Sequence, residues 1–198
     1  MRRHDLRVLP VQPSKTHIAE HGHGLPMTEK HTTPRDRIPS MGFKPFALIS
    51  GLVVVLDQIT KLLVLERLPL YHAIVVIPGF FNLTHIRNPG GAFGFMATGS
   101  QGLRNLLFVG VSIVAVGLIA FFYRQTPKTH PYLASALAMI FGGAVGNLID
   151  RLRFGEVVDF LDVYLGAYHW PAFNIADSAI TVGIGIFLLH VVFGRMPK

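Results

Sequence analysis

Two aspartates in the last quarter of the chain are the residues best suited to catalysis. Asp159 follows two valines in the run VVDF, and Asp177 ends the run FNIAD, on one helix face with Asn174. If a short connection brings two carboxyl groups together, they share one proton, because close like charges do not both ionise easily. The ionised group then takes a proton from water while the protonated group polarises a carbonyl, as in an aspartic protease. A lone acid at Asp177 would instead complement a helix dipole, and the spacing leaves both interpretations open.

Two more polar groups interrupt segments that are otherwise apolar. Asp57 and Lys61 are four positions apart, so they lie on one face of a helix and can pair. Asn147, Asp150 and Arg151 also share one helix face. An ionised side chain at the centre of a bilayer costs about 2.5–3.5 kcal/mol, so such residues are usually paired and often functional. For both groups, a purely structural ion pair or an interfacial anchor remains an alternative.

The composition is that of a membrane protein. Of the 198 residues, 51% are hydrophobic and only 15% are charged, and the mean hydropathy is +0.46, above that of a soluble domain. We therefore predict a single integral membrane domain. The formal charge is +7, but no basic stripe with interleaved aromatic residues is present, so nucleic-acid binding is not expected. The absence of cysteine excludes disulfides, a cysteine nucleophile and thiolate metal sites.

Four apolar segments have the length that a helix needs to cross the hydrocarbon layer of a bilayer. They cover residues 45–64, 102–123, 131–150 and 172–193. They predict a mainly α membrane fold with one four-span domain over residues 41–198. In the third segment, the spacing of Gly142 and Gly146 would let another backbone approach closely.

The segments outside the spans differ in character. Residues 65–101 contain the β-favouring runs AIVVI and FFNLTHI, and they predict a small subdomain with strands. Residues 151–171 predict a loop. Residues 1–40 are polar without apolar periodicity, which predicts a disordered extension.

Four spans place both termini on the same side of the membrane. The N-terminal extension, the turn over residues 124–130 and the C-terminal GRMPK then lie on the side of the termini, and together they contain most of the basic residues. Short segments rich in Lys and Arg stay in the cytoplasm, so both termini are predicted to be cytoplasmic. The acidic residues beyond the extension then lie near the outer ends of the spans or in the outer segments. A site built from them would face outward.

Other mechanisms have weaker support. No serine lies in a G-x-S-x-G turn, and a dyad of Ser178 with Lys61 would need both residues at one depth. No HExxH motif is present, so a zinc protease is not predicted. Two interpretations from other classes stay open: a small transporter or channel whose charges line a pathway, and a membrane assembly subunit with structural ion pairs.

Five motifs taken together resemble signal peptidase II, the bacterial lipoprotein signal peptidase. They are DQITK, RNPGGAFG, GGAVGNLIDR, GEVVDF and FNIADSAI, in the order and spacing of that family over residues 45–193. Each motif alone is weak, but the joint match is specific. Two features depart from the family pattern: Gly91 stands where alanine is common, and the N-terminal extension has no counterpart in the family core.

The resemblance implies an aspartyl protease of the bacterial inner membrane, with four helices and a small periplasmic β-subdomain. It implies removal of the signal peptide from diacylglyceryl-modified prolipoproteins, just before the lipobox cysteine and near the periplasmic face. The catalytic pair of the family falls on Asp159 and Asp177. Positions that match its substrate-binding or supporting residues are Asp57, Lys61, Asn88, Asn147, Asp150, Arg151 and Asn174. No cofactor or metal is expected. The expected partners are the lipidated substrates and membrane lipid, and the protein is expected to act as a monomer.

Overall fold

Four long apolar helices form most of the structure, a computed structural model that describes residues 42–90 and 100–193. They are α1 (Phe43–Arg67), α2 (Gln101–Gln125), α3 (Pro131–Phe154) and α4 (Ile175–Val192). Each is long and apolar enough to cross a membrane, and the predicted mainly α membrane fold is confirmed. The predicted extension over residues 1–40, and residues 91–99 of the predicted subdomain, lie outside the described residues.

The ends of α3 and α4 follow local signals in the sequence. Helix α3 has Pro131 in its first turn and stops at Gly155, whose φ of 75° is left-handed and favours glycine. The helix therefore continues past residue 150, the predicted end of the third span, to Phe154. Helix α4 begins at Ile175, later than the predicted start of the fourth span, because the Asn174 side chain caps it.

A four-stranded antiparallel sheet combines the segments that follow α1 and α3. In spatial order its strands are β1 (Ala73–Ile77), β2 (Phe81–Asn88), β3 (Val157–Leu165) and β4 (Tyr168–His169). The register of the central pair places Ile86 opposite Asp159 and Asn88 opposite Val157. Two residues of the predicted site, Asn88 and Asp159, thus come from neighbouring strands.

The prediction of a loop over residues 151–171 was wrong. Residues up to Phe154 belong to α3, and Val157–Leu165 form a strand. The run VVDFLDVYL is rich in β-branched and aromatic residues, which favour strands. Its first four residues are all buried, however, so it lacks the alternation that marks a half-exposed strand. The β-subdomain therefore extends beyond the predicted residues 65–101.

Helix α3 is the central helix of the bundle and contacts α1, α2 and α4. Glycines allow its backbone to approach its neighbours closely. A Cβ atom added at Gly142 would lie 2.7 Å from the backbone oxygen of Ser50 in α1, and one added at Gly143 would clash with the backbone oxygen of Ala176 in α4. Because lipid supplies no hydrophobic driving force between helices, close packing of this kind contributes much of their association. The predicted close approach at Gly142 is confirmed.

An apolar core closes the end of the bundle away from the sheet. Phe46 of α1, Tyr123 of α2 and Leu137 of α3 are buried in it. The rings of Phe46 and Tyr123 pack with their centroids 4.2 Å apart, and the Tyr123 hydroxyl donates a hydrogen bond to the Gly42 carbonyl at 3.0 Å. The buried Asp and Lys residues of the described ranges lie at the opposite end, beside the sheet.

Gly142→Ala is expected to destabilise the protein, although alanine is the better helix former. The added methyl group would meet the α1 backbone, and overpacking of this kind costs about 1–3 kcal/mol. Thermal unfolding in detergent micelles measures the effect. The matched control is Gly110→Ala, since the Cβ position of Gly110 in α2 has open space around it. Equal melting temperatures for the two variants would contradict tight packing of α1 on α3.

Candidate active site

A buried polar cluster lies where α1 and α3 end, beside β3 and the start of α4. Six residues of the predicted site belong to it, and their exposed fractions are Asp57 0%, Lys61 2%, Asn147 6%, Asp150 1%, Asp159 2% and Asn174 0%. Polar groups buried this completely are costly unless they are hydrogen-bonded or paired. The contacts within the cluster therefore determine its geometry.

The ammonium group of Lys61 is the centre of the cluster. Its Nζ atom lies 2.8 Å from Asp57 Oδ2 and 2.9 Å from Asp150 Oδ2, and it donates a hydrogen bond to Asn147 Oδ1 at 2.9 Å. An ammonium group has three N–H donors, and here each has an acceptor. The predicted pairing of Asp57 with Lys61 is confirmed, and the pair also ties α1 to α3.

The two carboxylates that pair with Lys61 also hold the backbone on either side of the cluster. Asp57 Oδ1 accepts a hydrogen bond from the Ala176 N–H at 3.0 Å, and Asp150 Oδ2 accepts one from the Val158 N–H at 3.1 Å. Ala176 and Val158 immediately precede Asp177 and Asp159. Each of these two aspartates is thus preceded by a peptide group that is anchored to a buried carboxylate.

Two asparagine amides connect Asp159 with Asp177. Asn174 Nδ2 donates to Asp159 Oδ1 at 2.8 Å and to Asn147 Oδ1 at 3.1 Å. Asn147 Nδ2 in turn donates to Asp177 Oδ1 at 2.8 Å. Asn174 Oδ1 accepts the N–H of Asp177 at 2.9 Å, which makes Asn174 the N-cap of α4. The fold therefore brings the two aspartates, one on β3 and the other in the first turn of α4, into one hydrogen-bonded network.

Asn88 completes the surroundings of Asp159 on the exposed side. Its Nδ2 donates to Asp159 Oδ2 at 3.0 Å, and its Oδ1 accepts the Gly90 N–H at 2.9 Å. The bond to Gly90 fixes which end of the amide faces Asp159. Asn88 itself is exposed, at the end of β2.

The carboxyl group of Asp159, on strand β3, has an unusual proton affinity. Burial raises its pKa from 3.8 to about 7, and the negative charge of Asp177 acts in the same direction. Hydrogen bonds from Asn88 and Asn174 and the charge of Lys61 oppose the rise but do not cancel it. Asp177 is only half-buried. The site therefore combines a carboxyl group that keeps its proton up to about neutral pH with a second, more accessible carboxyl group.

Arg151 is placed differently from the other predicted residues. Its guanidinium group lies within electrostatic range of Asp177, Asp159 and Asp150. Within residues 42–90 and 100–193, however, its side chain donates only to Ser112 Oγ, at 3.5 Å. The guanidinium carbon also lies 5.9 Å from the centre of the Phe108 ring. Arg151 thus stands at the edge of the cluster, outside its hydrogen-bonded network.

Gln58 belongs to the cluster and was missed by sequence reasoning. Its amide nitrogen contacts side chains or backbone of Asp57, Gly146 and Asp150 at 3.1–3.2 Å. Its position next to Asp57 in DQITK was the available signal. A neutral amide in an apolar helix is less costly than a charge, so the cost of burial does not single it out.

The residues of the cluster do not favour the two other hydrolytic mechanisms. The Ser178 hydroxyl donates to the Asn174 carbonyl at 2.9 Å, while the donors of Lys61 are all occupied, so a serine–lysine dyad is disfavoured. Over the described ranges, no three His, Asp or Glu side chains are grouped as metal ligands would be.

Known proteins resemble this chain over most of its length. The family described as signal peptidase (SPase) II matches residues 49–193. A lipoprotein signal peptidase of Desulforapulum autotrophicum is 57% identical over 150 residues, which cover 76% of this chain and 93% of that protein. A lipoprotein signal peptidase of Syntrophus aciditrophicus is 51% identical over 153 residues, with 77% and 95% covered.

The fold agrees with the sequence comparison. A solved structure of a bacterial membrane enzyme matches with a TM-score of 0.70 and 31% identity, covering 80% of this chain and 94% of that one. The family match, the two relatives and the solved structure all point the same way, and the chain belongs to the signal peptidase II family.

Proposed function

We propose that the protein is an aspartic endopeptidase that removes signal peptides from diacylglyceryl-modified prolipoproteins, cutting just before the lipobox cysteine. Membership of the signal peptidase II family supports the reaction, and the names of its relatives support the substrate class. The observation that carries the assignment of residues is the network that joins Asp159 to Asp177 through two buried amides.

In this proposal the two aspartates divide the proton transfers between them. Asp177, the more accessible group, takes a proton from a water molecule whose oxygen attacks the scissile carbonyl carbon. Asp159 donates its proton to the carbonyl oxygen, which a carboxyl group with a pKa of about 7 can do at neutral pH. When the tetrahedral intermediate breaks down, Asp177 returns a proton to the leaving nitrogen and Asp159 recovers its own. The pair ends with the single proton with which it began.

The other predicted residues have supporting roles in the proposal. Lys61, Asp57 and Asp150 hold the peptide groups before the catalytic pair, and Asn147 and Asn174 orient the two carboxyl groups. Asn88 and Arg151 lie on the more exposed side, where they are placed to position the substrate. Mutual orientation of this kind matters because small misplacements of reacting groups slow catalysis strongly.

The protein is a multi-pass membrane protein, and we place it in the bacterial inner membrane with both termini in the cytoplasm. The site then lies near the periplasmic face, where a substrate held by its diacylglycerol group reaches it by moving sideways in the membrane. We further propose that one chain is sufficient, because all the groups of the proposed dyad and its supports come from a single chain.

A transporter or channel is disfavoured by the distribution of polar groups. The buried charges lie at one end of the bundle, while Phe46, Tyr123 and Leu137 close the other end with an apolar core. Over the described part of α1, the Ser50 hydroxyl near that core is bonded to the helix's own Phe46 carbonyl. A pathway for ions would need polar groups through both halves.

Cleavage of a diacylglyceryl prolipoprotein by the purified protein tests the proposal directly. A shift of the substrate band on a gel is expected, and the cyclic peptide globomycin is expected to prevent it. Ion flux through the reconstituted protein, without any cleavage, would instead favour the transporter.

Asp159→Asn and Asp177→Asn are each expected to lower kcat by a factor on the order of 10²–10⁴, the usual contribution of a general acid or base. The double variant should be little worse than either single variant, because the two groups act as a unit. The matched control is Asp162→Asn on the same strand, whose side chain contacts His169 and Asn82 rather than the dyad. It is expected to retain cleavage. Substantial turnover by Asp159→Asn or Asp177→Asn would rule out the dyad.

The pH dependence of kcat/KM is expected to show a fall above about pH 7, the pKa of Asp159. Below that pH Asp159 is protonated and can donate its proton; above it Asp159 is ionised and the general acid is lost. The expected decline is roughly tenfold per pH unit. The charged groups within electrostatic range of Asp159 are Lys61, Asp177 and Arg151, which come from three different helices. A profile that stays flat from about pH 6 to about pH 9 would show that the reaction does not need this proton.

A further inference from the structure

The side chain of Gln58 joins α1 to α3 at the candidate site. Its Nε2 atom lies 3.1 Å from Asp150 Oδ1, 3.2 Å from Asp57 Oδ2 and 3.2 Å from the Gly146 carbonyl oxygen. Its two N–H groups are therefore shared among three acceptors. Its Oε1 atom faces Arg153, whose Nη1 donates at 3.5 Å. In the described region, no other neutral side chain donates hydrogen bonds to both Asp57 and Asp150.

These two carboxylates are the ones that hold the backbone before the catalytic pair. Asp57 accepts the Ala176 N–H and Asp150 accepts the Val158 N–H. Lys61 is one link between the two carboxylates, and the Gln58 amide is a second. The distance between the backbones that carry Asp177 and Asp159 thus depends on both links.

The second link has a different physical character from the first. Two carboxylates that share one ammonium group keep an excess negative charge, and they repel each other at short range. An amide supplies N–H donors without adding a charge. Because Gln58 binds the Asp150 oxygen that Lys61 does not bind, it also prevents rotation of that carboxylate away from the Val158 N–H.

We propose that Gln58 is a positioning residue for the cleavage reaction. It fixes the separation of Asp159 and Asp177 by cross-linking Asp57 to Asp150. The inference rests on the proposed function, in that it takes Asp159 and Asp177 as the catalytic pair.

Gln58→Met tests this role, because methionine keeps the length of the side chain and removes the amide. The expected result is a fall in kcat of roughly 10- to 100-fold, since misplaced groups react slowly, with KM changed less than about twofold. The high-pH limb of the activity profile is also expected to move to lower pH. A greater separation weakens the effect of the Asp177 charge, which helps to keep Asp159 protonated.

Two further variants complete the experiment. Gln58→Glu keeps the shape and the acceptor oxygen but loses the donors, so it is expected to lower kcat at least as much as Gln58→Met. The matched control is Gln125→Met, at an exposed position at the far end of α2, which is expected to match the wild type. All rates are normalised to the folded fraction measured by size-exclusion chromatography, and Gln58→Glu decides the result if Gln58→Met does not fold.

Wild-type kcat in either Gln58 variant would overturn the inference. So would a loss of rate explained entirely by a smaller folded fraction, with the pH profile unmoved, since that is the signature of a merely structural residue. The proposed function is judged separately by Asp159→Asn. If that variant is inactive while the Gln58 variants are normal, only the role of Gln58 is wrong; if it cleaves substrate, the proposed function itself fails.

Discussion

One buried ammonium group, that of Lys61, sets the arrangement of the whole site. Removing a charge from water costs several kcal/mol even after relaxation, and only close partners offset that cost. Lys61 is 2% exposed and obtains its partners from its own helix, Asp57, and from α3, Asp150 and Asn147. The same three side chains also bind groups farther out: Asp57 accepts the Ala176 N–H, Asp150 accepts the Val158 N–H, and Asn147 donates to Asp177. A single desolvated charge thereby orders four separate segments of the chain.

The packing of the helices makes room for this arrangement. A Cβ atom at Gly146 would lie 2.6 Å from Asp57 Oδ2, so the carboxylate fits against α3 only because that position has no side chain. Gly142 and Gly143 likewise let the backbones of α1 and α4 approach α3 closely. Thus the small residues of GGAVGN serve packing and chemistry together: they shorten the distance across which Lys61 and Asn147 must reach.

The sequence predicted the parts of the structure that depend on local signals. Apolar length predicted the four spans, and four-residue spacing predicted the pairing of Asp57 with Lys61. Strand β3 was not predicted, because its first four residues are all buried and its sequence does not alternate between apolar and polar residues. The contacts of Asn174 with Asn147 and Asp159 join residues from α3, β3 and the start of α4. Spacing within one helix cannot reveal such contacts, and the family motifs indicated the residues but not their contacts. Arg151 was predicted to share a helix face with Asn147 and Asp150, yet it lies outside the network. Adjacent side chains of a helix do not face each other, and the guanidinium group of Arg151 turns toward Ser112 and Phe108 of α2.

The same arrangement explains why Asp159 keeps its proton. The charge of Lys61 is shared between Asp57 and Asp150, so only part of it acts on Asp159. Asp159 is 2% exposed, and its hydrogen-bonding partners are neutral amides, which stabilise an ionised carboxylate less than an ammonium group does. Burial therefore dominates and raises its pKa to about 7. If Lys61 paired with Asp159 directly, that carboxyl group would be held in its ionised form, and the proposed dyad would lose its acid. Asp57 and Asp150 thus have two roles. They hold the backbone before the catalytic pair, and by pairing with Lys61 they keep its positive charge away from Asp159, the group that must carry the proton.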